Sequence, residues 1–290
     1  MSEKLQIYIE LTRIKKPIGI MLLFWPCMWG LTISYEFNEG IYLYIYYTLL
    51  FLLGSILMRS AGCIINDIVD RNFDLRVERT KNRPIASGAV SVFEGFIFAC
   101  ILCIFALFIL LQFNWLTIIL ALGSMPLAFT YPYMKRFTYW PQLYLGITFN
   151  YGLLLGWTSI NENITLIPII LYVGAIFWTL GYDTIYGYQD LKDDEIIGVK
   201  STSIKFKNNP KIFLIICYLL TTISILTTGL FLELNKFFYI LMIFPIFHMF
   251  YFQIKDLETN DQYNCLKIFK SNNLLGFIIF FILLIGKIEI

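Results

Sequence analysis

The chain has 290 residues, of which 58% are hydrophobic and 14% charged, with a formal net charge of +2 at pH 7. A soluble globular domain carries about 25% charged residues, so this composition excludes that class and places most of the chain in lipid. The small net charge, scattered over several loops, leaves no electrostatic footprint for nucleic acid.

A hydrocarbon core about 30 Å thick needs about 20 mostly apolar residues per helical crossing. In chain order, such runs are predicted near 17–35, 41–65, 92–111, 115–133, 140–160, 165–188, 212–232, 237–254 and 273–290. The expected fold is therefore all-α, an integral membrane bundle of nine transmembrane helices forming one domain over residues 1–290. Nineteen of the twenty-two Lys and Arg residues lie at the N-terminus or in the second, fourth, sixth and eighth connections. Lys236 and Lys287 lie opposite, and Arg59 lies inside the second run. By the positive-inside rule the N-terminus and those four connections face the cytoplasm, and nine crossings put the C-terminus outside. Membrane lipid is the expected surrounding partner, since a basic face beside anionic lipid accounts for the charge. The first sixteen residues mix Glu3 and Glu10 with Lys4, Arg13, Lys15 and Lys16, a pattern of neither a signal nor a transit peptide, so the first span is expected to be retained.

Half of the twenty acidic residues fall in and just after two stretches. Asp67, Asp70, Asp74 and Glu78, with Glu94 just beyond, close the second run; Asp183, Asp190, Asp193, Asp194 and Glu195 close the sixth. Asn66, Asp70 and Asp74 are spaced i, i+4, i+8 and share one face of a continuing helix, with Asp67 about a third of a turn away. Asp183, Asp190 and Asp194, at i, i+7, i+11, repeat the pattern, and Gly187 leaves room in that row. Like charges at this spacing repel, the more so near lipid, so a cation is required. Mg²⁺ suits the site because it binds through one or two carboxylates and phosphate oxygens while keeping waters, which lets two facing rows hold a diphosphate. Asp183 lies inside the apolar run, where a carboxylate is a functional hypothesis by default. Basic residues accompany the acids: Arg71, Arg76, Arg79, Lys81 and Arg83 after the first row, Lys192 and Lys200 with the second, Lys135 and Arg136 in the link between, and Arg59, placed to pair with Asp70 or with phosphate. Cys100 and Cys103 form a CxxC by spacing alone in an apolar run, and the lone His248 reads as a packing residue.

The segment MRSAGCIINDIVDRNFDLRVERTKNRPIASGAVS, residues 58–91, resembles the NDxxDxxxD signature of the UbiA superfamily of intramembrane aromatic prenyltransferases, carried here by Asn66, Asp67, Asp70 and Asp74. YDTIYGYQDLKDDEIIGVKSTSIKF, residues 182–206, resembles the second aspartate motif through Asp183, Asp190, Asp193 and Asp194. KPIGIMLLFWPCMWGL, TYPYMKRFTYWPQLYLG and GVKSTSI are similar to the branch acting on 4-hydroxybenzoate, and Lys192 departs from an acidic position common in relatives. The resemblance implies helices around a central cavity, Mg²⁺, and transfer of a polyprenyl group from its diphosphate to the ring carbon ortho to the 4-hydroxybenzoate hydroxyl, a step of ubiquinone biosynthesis. It implies metal binding by Asp70, Asp74, Asp190 and Asp194 with Asn66, Asp67 and Asp193 assisting, and substrate binding by Asn66, Arg59, Arg71, Lys135, Arg136 and Lys192. Asp183 is expected to orient the phenol or raise its nucleophilicity, and Arg136 to pair with the benzoate carboxylate; Tyr131, Tyr133 and Tyr182 could shield the allyl cation, but they read first as belt aromatics of the membrane interface. Another aromatic acceptor, or a divalent-cation transporter, are the alternatives; acids gathered at one face rather than the midplane weigh against transport. The abundance of Ile, Lys and Asn suggests an AT-rich bacterial genome and hence an inner membrane.

Overall fold

A computed structural model describes residues 3–288; positions 289 and 290 of the ninth predicted run lie outside the described residues. The described residues form helices joined by links, the longest of them over residues 75–91, with no strand among them. In chain order these are α1 (Glu3–Leu11), α2 (Ile18–Ser34), α3 (Tyr42–Asp74), α4 (Val92–Leu110), α5 (Trp115–Thr130), α6 (Met134–Phe137), α7 (Pro141–Thr158), α8 (Leu166–Gly187), α9 (Leu191–Ile197), α10 (Thr202–Lys205), α11 (Pro210–Phe231), α12 (Lys236–Leu241), α13 (Ile243–Phe247) and α14 (Gln262–Lys287). Local chemistry sets their starts. Ser91 and Glu94 close a reciprocal capping box on α4, Asn114 caps α5 through the Thr117 amide, and Pro141 and Pro210 open α7 and α11. Glu94 is thus a helix cap rather than a member of the acidic site.

Seven helical stretches among the described residues are long and apolar enough to cross a membrane. The first and fifth predicted runs, α2 and α7, are not among them: α2 has 17 residues, and the polar Gln142, Asn150 and Thr158 dilute the hydropathy of α7. Both are mostly buried, so they form the middle of the bundle while helices such as α4 meet lipid. The second run does not stop at residue 65, since α3 continues to Asp74. The ninth begins at 262 rather than 273, because its first turns pack on the protein end that carries the acids: Gln262 Nε2 donates to Gln189 O at 2.8 Å. Lys267 and Lys270 hid those turns from a hydropathy reading, and they bring Cys265 into a buried helical position.

Without a hydrophobic drive between helices inside lipid, close approach relies on small residues and on polar contacts. A Cβ on Gly30 would strike Leu153 O, and one on Gly156 would strike Cys27 O, so α2 and α7 touch backbone to backbone. The Trp29 indole donates to Gly276 O at 3.0 Å and stacks tilted on Trp178, whose indole donates to Asn272 Oδ1 at 2.8 Å, joining α2, α8 and α14. A π-helical stretch, His248–Lys255, presents Gln253 to this core. Tyr218 OH donates to Gln253 Oε1 at 2.7 Å, and Gln253 Nε2 donates to Asn272 Oδ1 at 3.0 Å and lies 3.1 Å from His248 Nδ1. His248 is buried against Phe252, a packing residue. All six cysteines are free, with Cys100 exposed on α4.

Gly156→Ala is expected to force α2 and α7 apart and cost roughly 1–3 kcal/mol, as overpacking does. Gly54→Ala, whose Cβ meets nothing within 4 Å, serves as the control and should be neutral or stabilising by up to about 1 kcal/mol. Thermal unfolding in detergent measures both.

Candidate active site

The continuation of α3 past the apolar run carries the first acidic row, and because it stays helical Asn66, Asp70 and Asp74 share a face, as their spacing predicts. Asp67, Asp70 and Asp74 are all buried. Lys135 Nζ donates to Asp70 Oδ2 at 2.7 Å. Arg136 Nη2 lies 3.8 Å from Asp70 Oδ1 and donates to Val69 O at 3.0 Å, while its guanidinium lies 5.1 Å from the ring centroids of both Phe73 and Tyr133. Arg83 Nη1 donates to Asp74 Oδ2 at 2.9 Å and to Asp67 Oδ1 at 3.0 Å, and Arg13 Nη2 donates to Asp67 Oδ2 at 2.7 Å.

The second row is not on one continuous α-helix. α8 ends at Gly187, a 3₁₀ turn covers Tyr188–Asp190, and α9 carries Asp193 and Asp194 before Gly198 closes it in the left-handed region with φ 82°. The tighter turn changes the phase predicted for Asp183, Asp190 and Asp194. The room expected beside Gly187 is filled by Ser203, whose hydroxyl donates to Thr184 O. Arg79 Nε donates to Asp190 Oδ1 at 2.9 Å, its Nη2 also contacts Asp190 Oδ2, and its Nη1 donates to Tyr186 OH at 3.0 Å. Burial opposes the Arg79 charge, but its hydrogen bond to Asp190, with Tyr186 and the Asp190 charge, outweighs that and raises its pKa above the ordinary arginine value. The Lys200 amide donates to Lys135 O at 2.8 Å and its Nζ to Phe137 O at 3.2 Å, so the stretch after α9 is tied to the link that supplies Lys135 and Arg136.

Asp183 sits deeper in α8. Arg59 is the cation in its electrostatic neighbourhood and lies with its guanidinium 5.0 Å from the Phe149 ring centroid. The pairing of Arg59 with Asp70 allowed by spacing is absent from the ion pairs of the described residues: Arg59 lies about 16 Å earlier along α3 and faces the deeper carboxylate. Tyr182 is buried against Trp178 and Phe269, and Tyr133 lies under Arg136. Arg71 and Lys192 are exposed and form no ion pair among the described residues. Glu78 and Glu195 pair outward with Lys81 and Lys207. The cations that reach the aspartates are instead Arg13, Arg79, Arg83 and Lys135, with Arg136 more distant at 3.8 Å from Asp70. The sequence offered only a weak signal for Arg79 and Arg83, as members of a basic run, and none by spacing for Arg13, 54 residues before Asp67.

Among the described residues no three His, Cys, Asp or Glu side chains converge on one point as a preformed metal cage. The donor chemistry nevertheless fits a hard divalent cation: the rows are carboxylates, and Asp70 Oδ1 is buried with no hydrogen-bond partner.

Two carboxylate rows at one end of a membrane bundle, ringed by guanidinium and ammonium groups, have the donor chemistry that suits a divalent cation. The chain belongs to the UbiA prenyltransferase family, which matches residues 23–284. It is 40% identical over 284 residues to the mitochondrial 4-hydroxybenzoate polyprenyltransferase of Drosophila pseudoobscura pseudoobscura, covering 97% of this chain and 70% of that one. It is 40% identical to the 4-hydroxybenzoate octaprenyltransferase of Psychromonas ingrahamii over 285 residues, covering 98% of each. In fold it is similar to a UbiA homologue from Aeropyrum pernix, with TM-score 0.74 and 21% identity over 90% of this chain and 94% of the other. A UbiA homologue from Archaeoglobus fulgidus, solved bound to GPP and Mg²⁺, gives TM-score 0.72 and 19% identity over 96% of this chain and 99% of that one.

Lys135→Met is expected to leave the Asp70 carboxylate with only the distant Arg136. The metal-free protein should lose about 1–3 kcal/mol, the cost of stranding a largely buried charge-assisted acceptor, and divalent metal should recover part of it. Thermal unfolding with and without Mg²⁺ measures the difference.

Proposed function

We propose that this protein transfers a polyprenyl group from polyprenyl diphosphate to the ring carbon ortho to the hydroxyl of 4-hydroxybenzoate, a step of ubiquinone biosynthesis. The observation that carries this reading is the pair of aspartate rows at one end of the bundle, in a chain that matches 4-hydroxybenzoate prenyltransferases over nearly its whole length. The residues proposed to hold Mg²⁺ are Asp70, Asp74, Asp190 and Asp194, with Asn66 and Asp193 assisting. Bound there, Mg²⁺ would offset the charge that develops on the departing diphosphate.

The chain's own groups supply the rest. Lys135 and Arg79 hold Asp70 and Asp190; with those carboxylates engaged by a metal ion, the two cations would be available to the diphosphate. Arg136 has one nitrogen committed to Val69 O, and its plane is fixed by Phe73 and Tyr133, which leaves other donors for the acceptor's carboxylate. Asp183, deeper in α8, would orient the phenol, so that its ortho carbon attacks the allyl cation formed as the carbon–oxygen bond to diphosphate breaks, and the ring proton passes to the released diphosphate or a nearby carboxylate. Arg71 and Lys192, at the exposed margin, serve as outer contacts to the diphosphate. The chain acts as one domain of nine crossings in a bacterial inner membrane, with the N-terminus and both rows cytoplasmic. The charge bias of the loops and the full-length similarity to a bacterial relative support that placement.

Asp70→Ala and Asp190→Ala should each abolish prenylation in membranes while the protein still inserts. EDTA should reproduce the loss in the wild type, and added Mg²⁺ should restore only the wild type. Undiminished product from either variant removes that carboxylate from the site. Arg136→Ala should lower use of 4-hydroxybenzoate at limiting concentration about ten- to a hundredfold, the worth of a charge-assisted hydrogen bond. The dependence on polyprenyl diphosphate should change much less. Initial rates with each substrate varied in turn separate the two, and a shift confined to the diphosphate would assign Arg136 to phosphate instead.

A further inference from the structure

Asp67 differs from its neighbours in the first row. It stands off the face shared by Asn66, Asp70 and Asp74, is 2% exposed, and has each carboxylate oxygen taken by a different guanidinium, Oδ2 by Arg13 at 2.7 Å and Oδ1 by Arg83 at 3.0 Å. Asp70 in the same row keeps Oδ1 without a hydrogen bond. To reach a metal, Asp67 would have to give up two charge-assisted bonds, leaving Arg13 without its carboxylate and Arg83 with Asp74 alone.

The chain also bends to make this contact. Arg13 has φ 58°, in the left-handed region that a residue with a Cβ occupies only when its surroundings impose it. Three contacts impose it here: the Lys16 amide donates to Arg13 O at 2.8 Å, Ser60 Oγ donates to Thr12 O at 3.1 Å, and the guanidinium reaches Asp67. Arg83 adds the other arm, since it bonds Asp74 as well as Asp67. When Asp74 is drawn to a metal, Arg83 still has a partner. One carboxylate thus joins the elbow between α1 and α2, the motif helix α3 and the loop after it.

We propose that Asp67 is a positioning residue rather than a metal ligand, a buried clamp for Arg13 and Arg83 that fixes the N-terminal elbow and the 75–91 loop around the metal-binding row. This rests on the reading of that row given above, and its test includes two measurements that need no turnover. Asp67→Asn keeps the shape but removes the charge, and is compared with Arg13→Gln and Asp70→Asn in detergent. In metal-free protein, limited trypsin cleavage after Lys15, Arg79 and Lys81, mapped by mass spectrometry, should accelerate about fivefold or more in Asp67→Asn and Arg13→Gln and stay unchanged in Asp70→Asn, as expected when a local tie is released. Mn²⁺ binding followed by electron paramagnetic resonance should stay within about threefold of wild type in Asp67→Asn and weaken about tenfold or more in Asp70→Asn, which loses a ligand carboxylate. In turnover, Asp67→Asn and Arg13→Gln should raise KM for polyprenyl diphosphate about tenfold with kcat little changed, and the double variant should be no worse than either single one.

Loss of Mn²⁺ binding in Asp67→Asn to the extent seen in Asp70→Asn overturns the proposal, as does unchanged cleavage. Should Asp67→Asn fail to accumulate, Arg13→Gln decides alone: faster cleavage with Mn²⁺ binding retained supports the clamp, and unchanged cleavage overturns it. A protein that prenylates nothing would sink the enzymatic reading while the cleavage and Mn²⁺ measurements still judge the clamp.

Discussion

Carboxylates buried at the end of a lipid-embedded bundle must be neutralised, and this requirement organises the whole molecule. A buried carboxylate without a partner costs several kcal/mol even after relaxation, and this chain buries Asp67, Asp70 and Asp74 within two turns of one helix. Each is met by a cation from elsewhere in the sequence: the segment before α2, the loop after α3, and the α6 link. Arg79 does the same for Asp190 and thereby ties the two motif regions together. The ion pairs are therefore the tertiary contacts of this end of the protein as well as its electrostatics. A ligand that brings its own positive charge competes with them directly.

The rest of the bundle supplies the rigidity on which that arrangement depends. Lipid gives helices little reason to associate, so contact must come from close packing and hydrogen bonds. Gly30 and Gly156 let α2 and α7 meet at their backbones, and the Trp29, Trp178, Asn272 and Gln253 contacts lock α2, α8, α14 and the π-helical stretch together. α8 is the element shared by both systems, since Trp178 belongs to the core and Asp183, five residues on, to the site. Misplacement of the core would reach the site through that helix.

The parts of the fold legible in the sequence are those governed by local periodicity. The face shared by Asn66, Asp70 and Asp74 follows from i, i+4 spacing once the helix continues, and the apolar runs lie close to the helices observed. Phase failed where a 3₁₀ turn intervened before Asp190, and hydropathy failed where a helix left the lipid and took up lysines, as in the first turns of α14. The basic residues were harder still. Arg71 and Lys192 sit closest to the motifs in sequence yet face outward, whereas Arg13 reaches Asp67 across 54 positions through an elbow in a left-handed conformation. Charge proximity along a chain says little about pairing in space when the partner lies on another helix.

Depth in the membrane then separates the tasks. Asp190 and Asp183 lie seven residues apart, about 10 Å along the helical path, so the second motif spans from the water-facing end to a level where Arg59 is the cation acting on Asp183. A diphosphate, multiply charged and strongly hydrated, belongs at the outer level, where Arg79, Lys135 and the paired aspartates gather. The acceptor placement proposed above, carboxylate toward Arg136 and phenol toward Asp183, suits a molecule with one charged end and one flat apolar body. A polyprenyl tail has no polar group to satisfy beyond its head, so its place is the lipid-facing side of the bundle, where most of the exposed side chains are apolar. Under that placement water would have to meet the leaving group and be kept from the allyl cation, which is the condition a prenyl transfer needs to end in a carbon–carbon bond rather than in hydrolysis.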